Sequence, residues 1–343
     1  MESTIIAVDL AKSVFQIAVS HHPGKVAESH RLTRGKFLQF FAERQPAVVL
    51  MEACGTAHYW ARQLEALGHR VLLLPPHAIR PYVSRNKTDR TDTKGLLEAH
   101  RNDEIHPVPV KSTSQQGLAA LHRLRSAWVA DRTARINLLR GILREFGFPL
   151  PLGGTCVAQA WSLLDEATTT KLPDPLRLAL AEACLEIRDL EARIKTVEKQ
   201  LEVLAAETPV VKRLCSIPGI GLLTATALVA FVGNAERFAT SRHFASFLGL
   251  TPREHSTGRK RRLGSISKCG DVYLRSLLIH GARSVLFAAK RRKQPDRLRA
   301  WSLQVAQHRG HNKAAVALAN KMARIAWAVW RNDSSFESRP LAA

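Results

Sequence analysis

The alternation of apolar and polar residues divides the N-terminal part of the chain into short strands and helices. Apolar runs predict strands at 5–8, 15–19, 47–51 and 71–74. Segments of helical period predict helices at 33–44, 57–67 and from about residue 91. Thr33 is the candidate cap of the first helix, and His22-Pro23-Gly24 predicts a turn after the second strand. This order of elements indicates an α/β sheet with helices on its faces.

Two long helices are predicted next, at 112–146 and 176–204. Apolar residues recur at steps of three and four along the second helix, at Leu180, Cys184, Ile187, Leu190, Ile194, Val197, Leu201 and Leu204. Such a heptad-like seam is typical of a helix that packs along its length against another helix. The partner helix belongs either to the same chain, as a helical hairpin, or to a second copy in an oligomer. The pattern supports both alternatives equally.

The chain is predicted to be mainly helical again after Pro209. Residues 215–221, followed by an apolar helix at 222–231, resemble a helix-hairpin-helix turn. In such a turn, Gly219 and Gly221 would let backbone N–H groups approach a phosphate. The alternative is an ordinary packing element between two helices. The remaining predicted segments are a helix at 314–330 and a disordered tail after residue 332.

The charge of the chain indicates its class of partner. The 343 residues carry a formal net charge of +22, with a pI of about 10.6. A folded chain with this balance favours a nucleic-acid partner. The rival explanation is an anionic membrane surface, but no apolar stretch is long enough to span a bilayer, and we expect no signal peptide. The five cysteines have no metal-ligand spacing and an odd count, which favours a reducing, cytoplasmic location.

Four carboxylates fall at positions suited to metal binding. Asp9 and Glu52 each end a predicted strand, and Asp89 and Asp92 stand three residues apart where a helix begins. Ligands gather at the C-terminal ends of strands in such sheets, and helical residues three apart face the same way. Mg²⁺ prefers oxygen ligands, and two such ions can stabilise both oxygens of a phosphoryl transfer. The alternative is that Asp89 is an N-cap and Asp92 interacts with the helix dipole.

Hydroxyl groups and cations suited to phosphate chemistry follow further along the chain. Ser256 or Thr257 could attack phosphorus and form a covalent phosphoester that neighbouring cations stabilise. The alternative is a flexible basic loop with small polar residues. The cations expected to contact phosphates are Lys87 and Arg90 beside the aspartates, and Arg259, Lys260, Arg261, Arg262 and Lys268 after the hydroxyl pair.

These motifs together resemble insertion-sequence transposases of the DEDD type, in the insertion-sequence 110 family and its 1111 group. The resemblance covers nearly the whole chain, and the motifs stand in the family's order. They are Ala7-Val8-Asp9-Leu10-Ala11-Lys12, Met51-Glu52-Ala53-Cys54-Gly55-Thr56, and the segments 86–92, 216–221, 249–252, 265–268 and 274–275.

The resemblance implies a domain organisation. It comprises an α/β RuvC-like (RNase H-like) N-terminal domain, a long helical coiled-coil spacer, a mainly α C-terminal transposase domain with a helix-hairpin-helix-like element, and a disordered tail. The corresponding ranges are 1–110, 111–208, 209–332 and 333–343.

The resemblance also implies a mechanism. Asp9, Glu52, Asp89 and Asp92 would form a tetrad that binds Mg²⁺, or alternatively Mn²⁺. A serine of the C-terminal domain would attack double-stranded DNA and form a phosphoserine intermediate. A structured noncoding bridge RNA would pair with donor and target DNA. The protein would act as a dimer or tetramer, with active sites shared between protomers.

One position departs from the family pattern. There the nucleophilic serine directly precedes a glycine, whereas here Thr257 precedes Gly258 and Ser256 stands one residue earlier. Either Ser256 attacks after a shift of register, or Thr257 attacks more slowly because its β-branched side chain is restricted, or this copy is impaired. We take Ser256 as the preferred nucleophile. The alternative functions are a nuclease or junction resolvase that uses water, and a DNA- or RNA-binding protein without catalysis.

Overall fold

A computed structural model describes residues 4–22, 25–83, 88–165 and 172–338. The chain forms two compact units, residues 1–114 and 115–343. Lys87 and two residues of the predicted turn, Pro23 and Gly24, lie outside the described ranges. Within those ranges, no helix combines the length and the apolar character needed to cross a membrane.

A five-stranded mixed sheet forms the centre of the first unit. Its strands are β1 (Ile5–Leu10), β2 (Val14–Ser20), β3 (Glu28–Thr33), β4 (Val48–Glu52) and β5 (Arg70–Leu74). Their order across the sheet is β3-β2-β1-β4-β5. β2 runs antiparallel to β1 and β3, whereas β4 runs parallel to β1 and β5. A helix at Ala57–Ala66 joins the parallel strands β4 and β5, as is usual for a parallel pair.

Helices cover both faces of this sheet. They are α1 (Phe37–Ala42), α2 (Ala57–Ala66), α3 (Pro76–Ile79) and α4 (Asp89–His100). Ile6 and Val8 of β1 pack in one core with Trp60 of α2 and the aromatic residues of α1. Ala7, between them, packs on the opposite face with Leu96 of α4. Alternation along β1 therefore separates a face covered by α1 and α2 from a face covered by α4.

Two predicted helix starts in this unit differ from the structure, and one strand was not predicted. β3 ends at Thr33, the proposed cap, and α1 begins only after Lys36. β3 is an edge strand whose side chains alternate between half-buried and exposed, so it lacks the apolar alternation of a covered strand. α4 begins at Asp89 rather than near residue 91, because Thr88 caps it.

The second unit is mainly helical. Its helices are α5 (Thr113–Glu145), α6 (Cys156–Asp165), α7 (Asp174–Ala206), α8 (Pro209–Cys215), α9 (Leu222–Val232), α10 (Ser241–Phe247), α11 (Val272–Ala289), α12 (Arg297–Arg309) and α13 (His311–Arg331). An antiparallel hairpin of β6 (Pro252–Glu254) and β7 (Leu263–Ile266) precedes α11. The sequence did not predict this hairpin, the short helices α6 and α10, or the largely polar α12.

α5 and α7 pack antiparallel to each other within the chain. Arg125, early in α5, pairs with Glu198, late in α7, at 2.7 Å, and Arg135 pairs with Glu186 at 2.8 Å. The predicted seam of α7 is buried in this arrangement except for Leu204. The intramolecular alternative therefore accounts for the seam.

The apolar core continues across the predicted boundary at residue 208. Leu118 of α5 and Leu201 of α7 pack in one cluster with Ala230 of α9. The long helices and the C-terminal helices are thus joined at one end by a shared core.

The start of the predicted disordered tail makes defined contacts. The N–H of Phe336 donates to Oγ of Ser216 at 2.8 Å, and Oγ of Ser338 donates to Oδ2 of Asp296 at 2.9 Å. Phe336 also packs against the core of the C-terminal helices. The chain is therefore held in place at least as far as Ser338.

Candidate functional site

The C-terminal ends of β1 and β4 carry two of the predicted carboxylates side by side. The parallel register pairs Val8 with Met51, so Asp9 and Glu52 are the next residues along the two strands. Side chains at equivalent positions of neighbouring strands point to the same face. Both carboxylates are half-buried. They lie on the face that α4 covers, because they alternate with the residues that pack on the other face.

The first turn of α4 carries the other two carboxylates. Oγ1 of Thr88 accepts from the N–H of Thr91 at 3.3 Å, and Oγ1 of Thr91 accepts from the N–H of Thr88 at 2.9 Å. Asp92 lies one turn before Leu96, which packs against the sheet, so the two share a stripe of the helix. Asp92 is half-buried and Asp89 is exposed. The alternative in which Asp89 is the N-cap is wrong, since Thr88 has that position.

The chemistry of these four residues fits a hard divalent cation, because all of their donor atoms are carboxylate oxygens. In the part of the chain that the structure describes, however, no three His, Cys, Asp or Glu side chains lie close enough together to hold a metal ion. The shared face brings the candidates to one region without forming a closed set of ligands. The metal tetrad therefore stays a prediction.

A cavity with charges of both signs lies between β3 and α4. Arg90, the described member of the two predicted phosphate-binding cations in this unit, lines a cavity of about 520 Å³ together with Glu28. Hydrogen bonds from Arg44, at 2.5 Å, and from His30, at 2.7 Å, lower the pKa of Glu28 to about 2. Arg90 thus has a carboxylate nearby whose charge is already balanced by other groups.

Ser256 lies beyond the end of β6 with a carboxylate beside it. Its Oγ donates to Oε1 of Glu254 at 2.7 Å and accepts from the N–H of Arg262 at 3.2 Å. Nε of Arg261 also donates to Oε1 of Glu254, at 3.2 Å. The hydrogen bond from Ser256, and then the charge of Arg261, lower the pKa of Glu254. The hydroxyl is therefore oriented towards an ionised acceptor on an exposed basic hairpin.

Thr257 belongs to the tip of the same hairpin. Its N–H and C=O pair with the backbone of Lys260, at 3.2 and 3.0 Å. Gly258 follows with φ of +54°, a conformation that glycine adopts without strain. The segment thus forms the tip of a hairpin. The predicted cations on it, Arg259, Lys260, Arg261 and Arg262, are all exposed.

Close backbone contacts hold the base of the hairpin. A Cβ at Gly249 would lie 2.1 Å from the carbonyl oxygen of Cys269, and a Cβ at Gly270 would lie 2.0 Å from the carbonyl oxygen of Phe247. Arg275 of α11 is buried and donates to the carbonyl oxygen of Cys269 at 3.1 Å. Gly249 and Arg275, which the sequence marked only as parts of family motifs, fix the hairpin on α11 together with Gly270. Lys268, the last predicted phosphate contact, is exposed beside them and has φ of +56°.

The two glycines of the helix-hairpin-helix-like segment differ in their surroundings. Gly219 has φ of +85°, and a Cβ on it would lie 2.7 Å from the carbonyl oxygen of Gly281 in α11. Packing against α11 therefore explains Gly219. Gly221 has open space around the position of a Cβ and precedes the first turn of α9. The phosphate contact at these glycines stays a prediction.

A buried polar cluster around His122 of α5 was not predicted. Nδ1 of His122 lies 3.0 Å from the hydroxyl of Tyr273, and Nε2 lies 3.0 Å from Oγ1 of Thr226. Because Thr226 donates its own proton to the carbonyl oxygen of Leu222 at 2.7 Å, Nε2 is the donor and Nδ1 the acceptor. Burial, and then the charge of Arg125, lower the pKa of His122 to about 4. The cluster joins α5 to α9 and α11.

Comparison with known proteins covers both units. A family model for transposases of the DEDD and IS110 type matches residues 6–148, and a model described as the transposase IS116/IS110/IS902 family matches residues 211–297. A probable family 20 transposase of Pseudomonas aeruginosa is 42% identical over 98% of this chain and 99% of its own length. The transposase for insertion sequence element IS1111A of Coxiella burnetii is 36% identical, over 97% of this chain and 91% of its own length.

A further relative shows the same extent of similarity. The transposase for insertion sequence element IS1328 of Yersinia enterocolitica is 36% identical over 97% of this chain and 98% of its own length. These matches run through the sheet with its carboxylates, the long helices and the hairpin with its hydroxyl pair. The chain therefore belongs to the IS110 family of transposases, enzymes that cut and join DNA at insertion sequences.

Proposed function

We propose that this transposase cuts and rejoins DNA at insertion-sequence ends with Ser256 as nucleophile and with Mg²⁺ bound by Asp9, Glu52, Asp89 and Asp92. The observation that carries the proposal is the hydrogen bond from Oγ of Ser256 to the carboxylate of Glu254, at 2.7 Å. A hydroxyl within hydrogen-bond reach of a base is the arrangement of an activated nucleophile.

The proposed step exchanges one phosphoester bond for another. Oγ of Ser256 forms a bond to a backbone phosphorus while the bond from that phosphorus to one deoxyribose oxygen breaks. The hydroxyl proton passes to Glu254, and the leaving oxygen takes a proton from solvent. The products are a phosphoserine and a free DNA end with a hydroxyl group. Rejoining occurs when the hydroxyl of another DNA end attacks the same phosphorus and restores the hydroxyl of Ser256.

The basic tip of the hairpin would bind the DNA backbone during this step. Arg259 and Lys260 are exposed beyond Ser256, where their charges can contact phosphates. Such contacts position DNA without reading its sequence.

The carboxylates of the first unit would hold the metal ion. When bound, Mg²⁺ stabilises the charge on the attacking and leaving oxygens of a phosphoryl transfer. Asp9 and Glu52 would hold it from neighbouring strands, and Asp89 and Asp92 from the start of α4. Mn²⁺ is expected to replace Mg²⁺, because it also takes oxygen ligands. The strand order β3-β2-β1-β4-β5, with acids on β1 and β4, supports a RuvC-like (RNase H-like) assignment.

The resemblance extends the proposal to a bridge RNA and to a dimer or tetramer. The net charge of +22 supports a second polyanion beside DNA. A structured RNA that copurifies with the protein and is needed for recombination would support this part. Full activity of RNA-free protein would contradict it.

A transposition assay with the element's own ends tests the proposed mechanism. The variants are Asp9→Asn, Glu254→Gln, Ser256→Ala and, as the matched hydroxyl control, Thr257→Ala. We expect Asp9→Asn and Ser256→Ala to abolish transposition and Thr257→Ala to retain it. A covalent protein–DNA adduct should form with wild type and be absent from Ser256→Ala. If Asp9→Asn is inactive while both hydroxyl variants are active, the enzyme uses water, and the Ser256 mechanism is wrong.

A further inference from the structure

A cavity of about 770 Å³ lies in the second unit, between the base of the β6–β7 hairpin, α12 and α13. This volume is in the range of pockets that bind small molecules, about 300–1,000 Å³. Ile266 of β7 and Val316 of α13 contribute apolar walls, and Trp301 of α12 contributes an aromatic wall. None of the functional residues predicted from the sequence lines this cavity.

All of the charged residues described as lining the cavity are positive. Lys313, Lys321 and Arg324 line it from α13, and its lining includes no aspartate or glutamate. Nζ of Lys321 lies 4.0 Å from the centre of the Trp301 ring. Burial, and then the charges of Arg297 and Arg324, lower the pKa of Lys321. A ligand with an anionic group would relieve the repulsion among these cations.

The combination of an aromatic wall, apolar walls and cations in the lining fits a nucleotide. A nucleobase stacks on aromatic side chains, and its phosphate pairs with lysine or arginine. Asn312, which also lines the cavity, offers an amide for hydrogen bonds to the base. A simple inorganic anion would use the cations but leave the aromatic and apolar walls without a function.

The position of the cavity relates it to the proposed nucleophile. Pro252 of β6 lines the cavity, and Ser256 follows four residues later on the same hairpin. Four extended residues span about 13 Å, which is well within one turn of duplex DNA, about 34 Å. A duplex that follows the hairpin from Ser256 towards its base would reach the cavity.

We propose that this cavity receives one unpaired nucleotide of the DNA substrate, with the base against Trp301 and the phosphate at Lys313 and Arg324. The inference rests on the proposed function, because it takes DNA at the hairpin as the substrate. Enzymes that do chemistry on a base hold that base outside the helical stack in a pocket of this kind, where aromatic and apolar side chains contact it. The nucleotide would fix the register of the DNA relative to Ser256.

Binding of bulged DNA to the full chain tests the proposal. One duplex carries a single unpaired thymidine, and a second carries an abasic residue at the same bulge. We expect wild type to bind the first duplex about tenfold more tightly, as one stacked base provides. Trp301→Ala should remove this preference, whereas Trp301→Phe should keep most of it. The matched control is Trp161→Ala, which removes a tryptophan at the surface of α6.

Further outcomes separate the alternatives. Lys313→Ala should weaken binding of both duplexes equally. Light-induced cross-linking of a bulged 5-iododeoxyuridine to wild type should label the peptide that contains Trp301, and labelling elsewhere would overturn the proposal. Equal binding of the two duplexes by wild type would also overturn the proposal. Tighter binding of the same bulge in RNA would overturn it as well and would assign the cavity to RNA. Ser256→Ala should retain the preference, so loss of transposition and loss of base binding are distinguishable.

Discussion

A fall in pH from 7 to 5 should weaken the second unit through His122. Burial, and then Arg125, lower the pKa of this imidazole to about 4, whereas its ordinary value is 6.5. Between these values the unfolded chain binds a proton that the folded chain does not bind. The contribution of His122 to stability is therefore complete above pH 6.5 and is lost as the pH falls towards 4. Linkage with these pKa values gives a loss of about 2 kcal/mol at pH 5.

Native-state hydrogen exchange measures this loss without unfolding the first unit. The free energy of opening is measured at pH 7 and pH 5 for peptides of α9 and α11, and intrinsic exchange rates are corrected for. These two helices are the ones that the His122 cluster joins to α5. His122→Gln cannot titrate, so its free energy of opening should fall by about 2 kcal/mol less than that of wild type. His243→Gln removes an exposed histidine of the same unit and is the control. An equal fall in wild type and His122→Gln would refute the reasoning.

Three further predictions concern the packing and charge of both units. Gly219→Ala should lower the free energy of unfolding by about 2 kcal/mol or more, because the φ of Gly219 is +85° and a Cβ would meet the backbone of α11. The control is Gly221→Ala, which should cost much less because a Cβ there would lie in open space. Ile187→Ala, in the buried seam, should cost about 2–5 kcal/mol, and Leu178→Ala, which is 66% exposed on the same helix, should change the unfolding midpoint little. Glu28→Gln should flatten the acid unfolding profile below pH 4.5, because the low pKa of Glu28 gives stability that is present above pH 4.5 and lost as the pH falls towards 2.

Strands that are covered on both faces of the sheet were predictable from the sequence. The edge strand and the contacts between residues far apart in the sequence were not. The run that ends at Asp9 predicted β1 because the strand is covered on both faces, and the same is true of the strand that ends at Glu52. β3 has no such run because it lies at the sheet edge, where half of its side chains are exposed. The cluster of His122 joins residues about 100 and 150 positions apart, at 3.0 Å each, so no local pattern indicates it.

The candidate site was likewise predictable only in part. Acids at strand ends indicated a shared face, because parallel register is set by the apolar run that precedes them. The hairpin at 252–266 was not predicted, since its residues are polar and exposed. The partner of Ser256 was missed with it, because Glu254 becomes a neighbour of the hydroxyl only when the chain turns back and Arg262 closes the hairpin.

The hairpin geometry gives a physical basis for choosing between the two hydroxyls. Thr257 directly precedes Gly258, where the sequence resemblance leads us to expect a serine, but the backbone of Thr257 closes the tip through Lys260. Consecutive side chains of an extended chain point to opposite sides, so Ser256 and Thr257 present their hydroxyls to different surroundings. Ser256 is the one that donates to Glu254 at 2.7 Å. A nucleophile must lose its proton as it attacks, and an acceptor in place lowers the barrier to that transfer. The activity of Thr257→Ala relative to Ser256→Ala therefore reports which side of the hairpin faces the phosphate.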